Sequence, residues 1–232
     1  MPSPAIQRTE THIAPRGLGI LDDANMDQLS AIEQRCFADQ TADMTRGAAT
    51  CASTLTYITD VSGGVYSFDG RIFSYDFKPI KAVYEELLSS SKKVQQLWKA
   101  IHIQQGTNVP KFIPSSKAVA HSYAPEHLID YSPYYDYMLK ENHPLLVAAG
   151  EFDLRDGARG QTVWMKKLLN ISAEFWEQDR KVYHYYDSKT KSQAVGGYYR
   201  TLGSFSLATL PKSGHFAPHD NYDATKAFLD DF

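Results

Sequence analysis

The stretch Pro211-Lys-Ser-Gly-His-Phe-Ala-Pro-His-Asp220 decides how the rest of the chain is read. Just before it, Phe205 to Leu210 (FSLATL) alternates bulky and small residues, the pattern of a buried strand. Pro211 stops that strand, and Ser213-Gly214 lets the backbone turn sharply. His215 is thereby set on a loop at the C-terminal end of a strand, the edge of an open α/β sheet where ligands bind. An Asn/Asp cluster then starts a helix predicted over 223–232. A histidine so placed suits general-base work. Taken alone, one histidine among eight reads more plainly as a surface loop residue.

A second stretch of the same shape lies upstream, Pro144 to Asp156 (PLLVAAGEFDLRD). Leu145 to Ala149 is an apolar run of strand length, bounded by Pro144 and Gly150. Glu151, Phe152 and Asp153 follow at once, again at the end of a strand. An acid on one strand end, followed roughly 60 residues later by a histidine on another, is the Asp…His chain order of an α/β-hydrolase triad. The acid orients the imidazole and the imidazole moves the proton. Read by itself, Asp153 is more often a helix cap or a solvated loop acid.

These residues resemble those of the serine carboxypeptidases, in particular the vitellogenic-like and lysosomal or vacuolar members. LLVAAGEFDLRDGARGQTVW resembles the family stretch that carries the triad aspartate, which maps to Asp153, with the family's downstream Trp at Trp164. GGYYRTLGSFSLATLPKSGHFAPHD resembles the run ending in Gly-His-x-x-Pro-x-Asp, so the resemblance makes His215 the triad histidine. Weaker counterparts are ITDVSGGVYSFDGRIF, beginning at Ile58, and LWKAIHI, beginning at Leu97. The fold this implies is α/β: a partial α/β-hydrolase, comprising C-terminal strands and helices of the sheet with a helical cap segment. The implied organisation is an N-terminal segment and first strand over 1–22, a helical cap-like insertion over 23–130, and a C-terminal hydrolase portion over 131–232. Within the first of these, Gly17 to Asp22 takes the place of the strand that follows the family's nucleophile helix.

The family's nucleophilic serine sits in a Gly-Glu-Ser-Tyr-Ala-Gly elbow, and no Gly-x-Ser-x-Gly occurs in this sequence. The family's Asn-Gly-Gly-Pro-Gly stretch, a source of oxyanion donors, is absent too. The resemblance therefore implies an acid and a base whose serine comes from a second chain, with peptide as the substrate once complemented and no cofactor. The alternative is an inactive carboxypeptidase-like protein used as a structural or assembly subunit. Two core strands, a hairpin partner and one weak strand are too few for a hydrolase sheet, and a lone buried-type strand such as LLVAA exposes an edge that invites pairing. The expected partner is the N-terminal carboxypeptidase half, or another protein chain covering that edge.

A net charge of −3 gives no reason to expect nucleic acid. No run of about 18 apolar residues is present, which excludes a helical membrane span. The N-terminus lacks the basic and apolar regions of a signal peptide, whereas the resemblance implies a lysosomal, vacuolar or secreted protein. Helices are predicted over 25–39 and 43–58, with one cysteine on each, Cys36 and Cys51. That pair is either a disulfide, adding ~3 kcal/mol on a loop-entropy estimate, or two reduced buried thiols. No His/Cys cluster has zinc spacing. Further helices are expected over 77–88, 92–103 and 160–169, and a strand over 193–201 hairpins into Phe205–Leu210. The residues from 108 to 142, rich in Pro, Ser and Tyr, read as irregular, and 174–187 as polar and aromatic. His102 is expected to be packed, His219 to be solvated, and Asn170-Ile-Ser172 is a glycosylation sequon, relevant if the protein enters the secretory route.

Overall fold

The structure, a computed structural model, describes residues 10–63, 92–102, 113, 116–123, 126 and 128–231. Packing divides the chain into two units, one formed by Met1–Phe73 with Ala124–Phe232 and the other by Ser74–Tyr123.

The larger unit begins with a short helix, α1 (Ile13–Gly17), where a strand over 17–22 had been expected. Residues 18–22 turn instead, with Gly19 at φ 71°. The left-handed conformation at Gly19 breaks the extended run, and Leu18, Ile20 and Leu21 pack with the helical hairpin instead. Helices α2 (Asp23–Ala42) and α3 (Met44–Val61) form an antiparallel hairpin. Asp22 caps α2 through a capping box with Asn25, and Asp43 caps α3 by accepting from the amides of Thr45 and Arg46. Gly47 is required where the helices meet, because a Cβ there would lie 2.3 Å from the Gln40 backbone. Cys36 and Cys51 are joined across the hairpin as a disulfide, with their Cα atoms 4.6 Å apart.

In the smaller unit the described elements are α4 (Lys92–Ala100), which buries Val94, and α5 (Lys117–Tyr123). His102, expected to be packed, is exposed, on a left-handed residue at φ 60° just past the end of α4. The helix expected over 77–88 lies outside the described residues.

The tyrosine-rich stretch read as irregular contains a helix, α6 (Ser132–Lys140). Its Pro133 lies in the first turn, where the missing N–H has no helical partner to lose. Then come β1 (Leu145–Gly150), α7 (Ala158–Met165), α8 (Ala173–Glu177), β2 (Lys181–Asp187), β3 (Ser192–Leu202), β4 (Phe205–Leu210), α9 (Ala217–Asp220) and α10 (Tyr222–Asp231). The four strands form one sheet in the order β1-β4-β3-β2. β1 runs parallel to β4, from Leu145 opposite Phe205 to Gly150 opposite Leu210, and the other two pairings are antiparallel. β2 is the strand that sequence reading missed. Its Tyr183 and Tyr185 point into the protein while His184 and Tyr186 are exposed, a period of two within a polar-aromatic run.

β4 is covered on both faces, and its apolar residues are divided between them. Phe205 joins Leu145, Trp164, Met165, Leu168 and Phe175 in the core between the sheet and α6 to α8. Ala208 and Leu210 face the other way, against Tyr183 and Phe228 of α10. A third cluster places Leu154, one residue beyond Asp153, against Leu21, Leu29 and Ile58. The α2–α3 hairpin is thereby packed onto the loop that carries the acid.

Candidate active site

Parallel pairing of β1 and β4 in matched register brings their C-terminal ends together, and the two candidate residues leave from those ends. The loops are also tied directly. Glu151 donates its backbone N–H to the carbonyl of Leu210, and Phe152 donates to that of Ser213. At the point of closest approach stands Gly150, where a Cβ would fall 2.3 Å from the Gly214 carbonyl oxygen and 2.5 Å from that of Ser213. The histidine loop can lie this close only because β1 ends in glycine.

Asp153 is 3 % exposed. Its Oδ1 accepts from the backbone amides of Arg155 (2.8 Å) and Asp156 (2.9 Å), and its Oδ2 lies 3.0 Å from Nδ1 of His215. A carboxylate only accepts, so Nδ1 carries the hydrogen and the lone pair belongs to Nε2. That is the tautomer a general base needs. The histidine's own loop is fixed as well: Ser213 Oγ donates to the Leu210 carbonyl, and the Gly214 amide donates to Asp220 Oδ2 at 2.6 Å. Asp220 also meets His219 at Nδ1, 3.0 Å away, so that histidine pairs with the loop's own acid. The last acid of the Gly-His-x-x-Pro-x-Asp run thus acts as the clasp of the histidine turn.

Sequence reading did not single out Asp156, whose Oδ2 lies 3.3 Å from the same His215 nitrogen. Its only sequence signal is its position three residues after Asp153. The hydrogen bond with Asp153 holds the imidazole pKa above its ordinary value despite partial burial, and the charges of Asp153 and Asp156 act in the same direction. Burial, and then the neighbouring charge of Asp153, hold the Asp156 carboxyl above the usual range for an aspartate, with His215 pulling the other way.

Asp153, Asp156 and His215 also place three ligating atoms within 4.8 Å of one another, enough to raise the question of a cation. Both Asp153 oxygens already accept hydrogen bonds, one of them from the His215 ring. A cation at Nδ1 requires loss of that hydrogen. The donor set fits an acid–base pair better than a metal centre.

A further carboxylate–histidine contact lies elsewhere in the unit. Glu33 of α2, buried, meets His12 Nδ1 at 2.7 Å and accepts its backbone N–H. The bond to Glu33 raises the His12 pKa, and burial raises that of Glu33. This pair ties the start of α1 to the helical hairpin.

A strand-end aspartate and a strand-end histidine are thus in hydrogen-bond contact at the matched ends of parallel neighbouring strands. Residues 22–232 match the family model described as Peptidase_S10, serine carboxypeptidase, and the chain belongs to the serine carboxypeptidase family. Among solved structures, it is similar to the crystal structure of Kex1(Δ)p, described as a prohormone-processing carboxypeptidase from Saccharomyces cerevisiae. The TM-score is 0.67 at 13% sequence identity, and the alignment covers 99% of this chain and 52% of that one. The likeness is one of fold, and the chain spans about half the length of that relative. A search of curated proteins returned no match.

Proposed function

We propose that this chain supplies the acid and the base of a serine-type carboxypeptidase, with the nucleophilic serine contributed from outside these 232 residues. The observation that carries the reading is the 3.0 Å contact between a buried Asp153 carboxylate and Nδ1 of His215. In the reaction, His215 Nε2 accepts the proton of the serine hydroxyl as its oxygen attacks the carbonyl of the C-terminal peptide bond. That proton then passes to the departing amine, and water, activated by the same nitrogen, releases the acyl group. Asp153 stays ionised and stabilises the imidazolium. No cofactor is needed.

The partner in this reading is an N-terminal carboxypeptidase half, or another chain, that adds to the outer edge of β1. Among the described residues, β1 has a neighbour on one side only, which supports that placement. The Cys36–Cys51 disulfide supports an oxidising compartment, in keeping with a lysosomal, vacuolar or secreted protein. Asn170, exposed on the loop after α7, is the proposed N-glycosylation site. Alone, the chain is expected not to turn over peptides.

The second reading is a structural or assembly subunit without activity, favoured by the lack of any Gly-x-Ser-x-Gly. Fluorophosphonate labelling of source-purified material, with intact masses of all co-purifying chains, separates the two. A labelled companion carrying a serine elbow supports the enzyme. Unlabelled material with unrelated companions rejects it in favour of the subunit.

A further inference from the structure

A cavity of about 590 Å³ lies between α1, α7, the segment joining α8 to β2, and the faces of β3 and β4. Four cationic side chains line it: Arg159 of α7, Lys166 just past its end, Arg180 ahead of β2, and Arg200 of β3. Three of them are laid on aromatic rings rather than on carboxylates. Lys166 Nζ stands 5.6 Å from the Trp176 ring, Arg180 is 5.3 Å from that of Tyr198, and Arg200 is 5.9 Å from that of Phe175. Glu151 is the one acid in the wall, and among the described residues none of the four cations forms an ion pair with it or with any other carboxylate. The Nε of Arg200 is buried there with no hydrogen-bond partner.

Gathering four positive charges around a single unpaired acid is unfavourable, and a buried donor without an acceptor adds to the penalty. A bound anion relieves both. Guanidinium groups present forked donors that match the oxygens of phosphate and carboxylate, and aromatic stacking holds such forks in place. The volume is that of a small-molecule site. Neither Asp153 nor His215 lines it, so the site is separate from the acid–base pair.

We propose that this cavity binds a compact multivalent oxyanion, a small molecule carrying at least two phosphate or carboxylate groups. Arg200, through its buried Nε, serves as the anchor, with Arg159, Lys166 and Arg180 around it.

Calorimetric titration of the intact chain with inorganic pyrophosphate and, separately, citrate tests this. At least one is expected to bind saturably, and which one binds distinguishes a phosphate ligand from a carboxylate ligand. Affinity should fall at least tenfold in Arg200→Gln and in Arg159→Gln, and should weaken with added salt. Arg159 is exposed, so its replacement keeps the test valid should Arg200→Gln misfold, as judged by circular dichroism. Lys226→Gln, on α10 away from the cavity, should bind as the parent does. No saturable binding of either anion, an unchanged affinity in Arg159→Gln, or an equal loss in Lys226→Gln would overturn the proposal.

Discussion

Asp153 and Asp156 approach the same nitrogen of His215, at 3.0 Å and 3.3 Å. Two carboxylates on one Nδ1 favour the imidazolium, and both raise the histidine pKa. The closer one is buried and accepts two further backbone bonds, whereas burial and the charge of its neighbour hold the carboxyl of the second above the usual aspartate range. Removing the second acid should therefore tune the base without dismantling the pair.

Asp156→Asn is expected to lower the pKa of His215, read from imidazole chemical shifts across a pH titration. A pKa that stays in place or rises would show that Asp156 does not act on the ring.

The same shifts set a pH dependence of stability. His215 has a folded pKa above its unfolded value, near 6.5, so its contribution is fully present below that pH. The contribution is lost as pH rises through the folded pKa. Asp156 has the same sign in a lower window, because a raised carboxyl pKa means the folded state holds the proton more tightly. Denaturant midpoints should fall on raising pH from 6 to 8, and the fall should be smaller in His215→Gln. Equal slopes in both proteins would contradict this.

Asp153→Asn and Asp153→Ala should part company. Asparagine keeps an oxygen for the amides of Arg155 and Asp156, while alanine leaves those donors without an acceptor. The alanine variant should lose about 1–3 kcal/mol more stability in urea titrations. If a serine-bearing partner is found, the asparagine variant should assemble with it yet lose about 10⁴-fold in kcat through the wrong histidine tautomer.

Gly150→Ala places a methyl group against two carbonyl oxygens of the histidine loop. It should lower the thermal midpoint and, by pushing the loop away, move the His215 pKa down toward its free value. A destabilised protein with an unchanged titration would separate the strand end from the acid–base geometry.

Cys36→Ser with Cys51→Ser opens a 15-residue loop within one helical hairpin. A loss of about 3 kcal/mol is expected on the chain-entropy estimate, measured by urea unfolding against the parent. Because Leu154 packs against that hairpin, the histidine titration is a second readout of the same change.

What could be read from sequence followed from how local each signal is. β1 and β4 are short apolar runs stopped by glycine and proline, and they appear where those signals put them. Their loop residues Asp153 and His215 were found through motif spacing, which encodes the matched ends of two parallel strands. β2 was missed because its outer face carries Val182 and Tyr186 besides His184, so the alternation with the inward Tyr183 and Tyr185 is not visible as polar against apolar. α6 was missed because its stretch, rich in Pro, Ser and Tyr, was read as irregular, although Pro133 occupies the first turn of the helix. The expected strand over 17–22 rested on family position alone, and there a turn stands instead. Asp156 could not be found from spacing, because its direction is set by the turn that Asp153 itself organises through two backbone amides. The cationic cavity draws its walls from residues scattered over the fold, from Ala14 to Thr209, and leaves no local trace.

The strand order has a kinetic consequence. β4, which leads to the base, has neighbours on both sides, whereas β1, which leads to the acid, has one among the described residues. Local opening of a sheet begins at its least protected strand. Amide exchange should therefore be faster along Leu145–Gly150 than along Phe205–Leu210, and each opening would carry Asp153 away while His215 stayed anchored. Any chain that lays a strand along the outside of β1 would slow that exchange and, in doing so, lengthen the time for which the acid and the base are in register.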